Sequence, residues 1–91
     1  MGFGRVEKWE FSSAGRDLMV FWYCPYSGRA ACYLHAYSYD HARRAWILFI
    51  DRVLEPATRP SAELRAADRS LTFKDRDGRV VVKEYLESLP R

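Results

Sequence analysis

The sequence predicts an α+β fold: a three-stranded antiparallel meander, one helix packed on it, and a C-terminal β-hairpin. Three patterns carry that expectation. Residues 5–39 show alternation and apolar runs broken by turn residues, residues 41–54 space their apolar side chains as a helix does, and an Asp-Gly turn separates two short apolar segments near the C-terminus. The chain has 91 residues, 48% hydrophobic and 15% aromatic, which is bulk for one small domain over 1–91 and excludes whole-chain disorder. No apolar run approaches the roughly 18 residues that a membrane helix needs, so no membrane association is expected.

Arg5 to Ser12 alternates, with Glu7, Trp9 and Phe11 on one side, as a half-buried strand does. Ser13-Ala14-Gly15-Arg16 reads as a turn in which Gly15 takes a positive φ. Asp17 to Cys24 is continuously apolar and aromatic, as in a central strand. Pro25-Tyr26-Ser27-Gly28 is a second turn, and Arg29 to Tyr39 a third strand of alternating small and large residues.

Asp40 is a good helix N-cap. Ala42, Ala45, Trp46, Phe49, Ile50, Val53 and Leu54 then follow the i, i+3, i+4, i+7 rule, with Arg44, Asp51 and Arg52 on the outer arc. Trp46-Ile47-Leu48-Phe49-Ile50 also suits a strand, but the period over three turns favours the helix. Residues 55–69 hold two prolines and little bulk, and read as a long connecting loop with one helical turn after Ser61. Ser70–Lys74 and Arg79–Lys83 flank Asp75-Arg76-Asp77-Gly78 as a hairpin, with Leu71, Phe73, Val80 and Val82 on one face. Val82, Tyr85, Leu86 and Leu89 also carry helical spacing, so the chain end suits a short helix.

Two four-residue turns would set Trp9 opposite Val20 and Val20 opposite Tyr33. One face then collects Trp9, Phe11, Leu18, Val20, Trp22, Tyr33, His35 and Tyr37. The other collects Val6, Met19, Phe21, Tyr23, Ala30, Cys32, Leu34 and Ala36, smooth enough for the helix. The aromatic face is the candidate binding surface: Trp9, Trp22, Tyr33, His35 and Tyr37, with Arg29 beside it. Either the C-terminal hairpin or a partner covers it. A one-residue slip in either turn would mix the two faces.

The chemistry-bearing residues form no convergent site, and an enzyme is not the expected reading. Cys24, Cys32, His35 and His41 could be imagined as zinc ligands. The cysteines are widely spaced with no Cys-x-x-Cys knuckle, and Cys32 and His35 fall on opposite faces of one strand. No metal or cofactor is therefore expected, and the two cysteines read as free buried thiols on opposite faces. Asp17 is the carboxylate this register brings near His35.

The net charge of +3 permits a polyanion without demanding one. Twelve of the fifteen basic residues are Arg, as in a GC-rich bacterial or phage genome. The opening Met1–Glu7 lacks a charged-then-apolar leader, which predicts a cytoplasmic protein. The expected function is a small non-enzymatic binding domain whose aromatic sheet face meets a protein partner or a second copy of itself. The alternative is nucleic-acid binding, in which Tyr33, His35, Tyr37 and Tyr39 stack on bases and arginines contact phosphates.

Overall fold

The computed structural model describes residues 6–13, 15–24 and 31–86. Among these the fold is all-β, with no α-helix: a four-stranded antiparallel meander and a three-stranded antiparallel sheet. The chain divides into two compact units, Met1–Pro56 and Ala57–Arg91. The first holds β1 (Val6–Ser13), β2 (Arg16–Tyr23), β3 (Cys32–Asp40) and β4 (Ala45–Leu54), paired in that order.

The first hairpin has the predicted register, with Ser12 opposite Asp17 and Trp9 opposite Val20. Gly15 takes the positive φ of 76° that the tight connection needs. The Ser12 hydroxyl donates to Asp17 Oδ1 at 3.0 Å, one pair in from the turn.

The second pairing departs from the expectation. Val20 lies opposite Ala36, not Tyr33, because β3 begins at Cys32 and the connection is longer than a four-residue turn. The shift is an odd number of residues, so it turns β3 over relative to β2. Continuing the ladder past Tyr23–Tyr33 sets Cys24 opposite Cys32, and the two form a disulfide with their Cα atoms 4.3 Å apart. Directly opposed residues in a non-hydrogen-bonded antiparallel pair sit at about this separation. The expectation of two free thiols on opposite faces is thereby overturned. The predicted Pro25–Gly28 turn, with Arg29, lies outside the described residues.

The predicted helix over 41–54 is instead a turn followed by β4, so the α+β assignment is replaced by an all-β one. Asp40 keeps its capping chemistry: Oδ1 accepts the backbone N–H groups of Ala42 and Arg43 at 2.9 and 3.2 Å. Arg44 then takes a left-handed φ of 54°, which stops a helix from propagating. Six consecutive apolar residues from Ala45 to Ile50 follow, and β-branched and aromatic side chains suit a pleated surface with apolar neighbours on both faces.

Alternation sorts this sheet into two faces. Leu18, Val20, Trp22, Cys32, Leu34, Ala36 and Ile50 are buried on one, with Ser38 among them and Trp9 and Phe11 half-buried at the β1 edge. The ladder slips between Ala36 and Tyr37, where β4 carries one extra residue, Phe49. Such a bulge changes the phase of the strand, so Ile47 and Ile50 share a face three residues apart.

A 3₁₀ turn (Pro56–Thr58) begins at the last residue of the first unit, and the second unit then holds β5 (Ser61–Arg65), β6 (Ser70–Lys74) and β7 (Val80–Tyr85). The predicted connecting loop over 55–69 thus contains a strand, β5, which pairs with β6 from Ser61–Lys74 to Arg65–Ser70. The predicted hairpin is present. Asp75 Oδ1 accepts from the N–H groups of Asp77 and Arg79 at 2.9 and 3.0 Å, and Gly78 has a φ of 83°. Leu71, Phe73 and Val82 are buried together, whereas a second slip between Phe73 and Lys74 leaves Val80 50% exposed, off the face predicted for it. β7 keeps Val82 and Tyr85 of the predicted terminal helix in a strand, Leu86 follows in a 3₁₀ conformation, and the rest of that segment, with Leu89, lies outside the described residues.

Candidate interaction face

The predicted binding surface divides between the two sides of the first sheet. Trp22 is fully buried and Trp9 half-buried on the core side, while Tyr33, His35 and Tyr37 stand on the other side. The turned-over β3 explains the split. Its odd-numbered residues pair with Met19, Phe21 and Tyr23 of β2, not with Trp22 and Val20. The face that results was assembled in neither predicted set. It runs from Val6 and Lys8 on β1, through Met19, Phe21 and Tyr23, then Tyr33, His35, Tyr37 and Tyr39, to Trp46, Leu48, Asp51 and Val53 on β4.

Ring contacts tie the middle of this face together. Phe21 meets Tyr37 edge-on at 6.1 Å between centroids, Tyr23 lies 5.4 Å from Tyr33, and Tyr39 packs edge-on against Trp46 at 5.2 Å and His41 at 4.9 Å. Edge-to-face geometry sets the positive ring edge on the negative ring face. The border stays wet: Val6, Trp46, Leu48 and Val53 are 62%, 42%, 43% and 60% exposed. β4 supplies three of those four, because the ladder sets Trp46 and Leu48 before the bulge and Val53 after it opposite Tyr39, Tyr37 and Tyr33.

One polar chain crosses the face. His35 Nε2 lies 3.0 Å from Asp51 Oδ1, and His35 Nδ1 lies 3.4 Å from the Tyr23 hydroxyl. In the Nε2–H tautomer the ring donates to Asp51 and accepts from Tyr23. The carboxylate paired with His35 is therefore Asp51, not Asp17, which is bound to Ser12. Asp51 escaped the sequence reading because a helix would have set it on an outer arc. Burial, followed by the nearby Tyr37, Tyr33 and Asp51, pushes the Tyr23 hydroxyl above its ordinary pKa. That is the opposite of what a tyrosinate nucleophile requires. The arrangement fixes the orientation of three side chains and leaves a protonated phenol.

The disulfide engages both sulfurs that a Cys₂His₂ site would use. Among the described residues no three His, Cys, Asp or Glu side chains gather as metal ligands. One signal in the sequence could have found the true face. If Cys24 and Cys32 are taken as a cross-strand bridge, the pairing of β2 with β3 follows by counting outward from them. No protein-family model matches the chain, and neither the curated proteins nor the solved structures yield a match to it.

Proposed function

We propose that this chain is a small protein-binding domain that works through the aromatic face of its first sheet. The observation that carries the reading is the apolar border of that face, where Val6, Trp46, Leu48 and Val53 stand 42% or more exposed around contiguous Tyr, Phe and His rings. Isolated exposed apolar residues are ordinary, but contiguous patches of several hundred Å² mark interaction sites. Tyr, Trp, Phe and Met are also the residues enriched where proteins meet. Tyrosine hydroxyls and His35 add polar contacts without isolated charge.

The same tyrosine row suits base stacking, but Glu10, Asp17 and Asp51 lie on this face and oppose a phosphate track. An oxidising compartment fits the protein better than the cytoplasm, because a structural disulfide such as Cys24–Cys32 persists where thiols are not kept reduced.

A photo-crosslinking residue at Leu48 tests the reading, with Arg76 at the far hairpin tip as the control. Irradiation in the producing cell is expected to give protein adducts at position 48 and none at 76. Adducts to nucleic acid at 48, or equal labelling at both positions, would overturn it.

A further inference from the structure

Resting on that reading, we infer that the partner of the aromatic face is a second copy of the same chain, docked face to face about a two-fold axis that runs along the strands. The argument lies in the order of residues across the sheet. The ladder aligns Val6, Tyr23, Tyr33 and Val53 in one row from β1 to β4. The next row on the same face is Lys8, Phe21, His35 and Asp51, and the third is Glu10, Met19, Tyr37 and Leu48.

A two-fold axis along the strands lays β1 of one copy over β4 of the other and β2 over β3, while each row stays opposite itself. The first row reads the same from either edge, so Val6 meets the partner's Val53 and Tyr23 meets the partner's Tyr33. In the second row Lys8 meets the partner's Asp51, and Phe21 meets the partner's His35. The pair of opposite charges occurs twice, once on each side of the axis. In the third row Met19 meets the partner's Tyr37 and Glu10 lies over the partner's Leu48, a mismatch at the rim where Glu10 keeps its own Lys8 beside it, with Nζ 3.8 Å away.

An isologous contact requires this kind of self-match, in which residue i touches j and j touches i. A foreign partner gives no reason for the two edges of one sheet to complement each other. Packed sheets also keep their strand directions within about 30°, so the rows remain in register across the axis. The size fits too. Four strands about 4.8 Å apart and eight residues long at about 3.3 Å each cover about 500 Å² in projection. Two copies then bury about 1,000 Å² or more, which is where specific interfaces begin. Aromatic rings occupy the centre and the Lys–Asp pairs the rim, the arrangement that stable interfaces share.

The test uses the purified, oxidised full chain in sedimentation velocity over a wide concentration range, with circular dichroism as the check on folding. The parent is expected to pass from monomer to dimer. Lys8→Asp and Asp51→Lys, each alone, are expected to raise the dissociation constant about tenfold or more, since each sets like charges together twice. The double variant Lys8→Asp/Asp51→Lys is expected to regain most of the parent's affinity. A second measurement stands apart from the folding of Asp51→Lys. Equal amounts of Val6→Cys and Val53→Cys protein should oxidise to the mixed dimer faster than either does with itself.

A parent chain that stays monomeric at every concentration would overturn the inference, as would a double variant no better than the singles or cross-linking without preference for the mixed pair. If the chain is monomeric while position 48 still labels a different protein, the second copy is wrong and the interaction face stands. If position 48 labels no protein, both readings fall.

Discussion

The two sheets treat their non-core faces in opposite ways. In the first sheet that face is aromatic, crossed by a single Tyr23–His35–Asp51 chain and bordered by exposed Val, Leu and Trp. In the second, Ser70 and Thr72 lie fully buried on β6, bonded to each other at 3.0 Å. Charged pairs flank them: Lys83 with Asp68 at 2.8 Å, and Glu63 with Lys74 at 3.5 Å and Arg65 at 3.9 Å. Lys83 also lies over the Tyr85 ring, 5.0 Å from its centre. The second sheet answers its polar groups from within itself, whereas the first leaves apolar surface for something else to cover.

Side chains on the core side should dominate stability in both sheets. Trp22→Ala and Phe73→Ala are each expected to cost about 3–5 kcal/mol in urea unfolding, because each empties a fully enclosed site. If Trp22→Ala costs as little as a surface change, the sorting of faces in the first sheet is wrong.

The disulfide should come next. Replacing Cys24 and Cys32 with Ser, eight positions apart, is expected to lower stability by about 2–3 kcal/mol by restoring freedom to a short loop in the unfolded chain. Reductant should reproduce the loss in the parent and leave the double variant unchanged. The second sheet holds no cysteine, so an equal loss of stability there would show that the two units unfold together.

Trp46→Ala should cost less than about 1 kcal/mol, since its side chain is already 42% exposed, yet it should weaken any association through the aromatic face. Buried against a sheet on a helix, the same residue would have behaved like Trp22. The helix expectation and the strand therefore differ in a number that calorimetry can read.

Acid should distinguish the sheets more gently. Hydrogen bonds from Lys83, then Ser70, hold the Asp68 carboxyl down to about 2 from an ordinary 3.8. A depressed carboxyl contributes its stability above the unfolded value and loses it as pH falls through the folded one. The contribution should thus be intact at neutral pH and fade between about pH 4 and 2. Asp68→Asn should flatten unfolding free energy across that window. A parent curve already flat there would show that this pair does not matter to folding.

Local chemistry was the legible part of the sequence. Gly15 and the Asp75–Gly78 turn fixed two hairpins, and Asp40 was a cap, though of a turn. What failed was long-range phase. The connection before β3 carries no residue that declares its length, and an odd error there moved Tyr33, His35 and Tyr37 away from Trp9 and Trp22. The bulge at Phe49 produced the second failure. It leaves six consecutive apolar residues, Ala45–Ile50, on both faces of one strand, and from such a run a helical subset (Trp46, Phe49, Ile50) can be picked as readily as an alternating one. β5 was missed because Ser61–Arg65 has only Ala62 and Leu64 to offer as apolar residues, too few to announce a strand beside two prolines.

Arginine is the last residue before β4 and before β6, and in the left-handed region at Arg44 and Arg69 with φ of 54° and 52°; Arg59, at 40°, precedes Pro60 and β5. L-residues with a Cβ sit there at a cost of about 1–2 kcal/mol, and glycine does not. Arg44 and Arg59 are exposed, far from the demands of close packing. These corners are thus places where the chain carries tension it has no structural need to keep. Arg44→Gly and Arg59→Gly would let an engineer raise its tolerance to heat without touching the core or the aromatic face, and the two substitutions, at separate bends, should act independently.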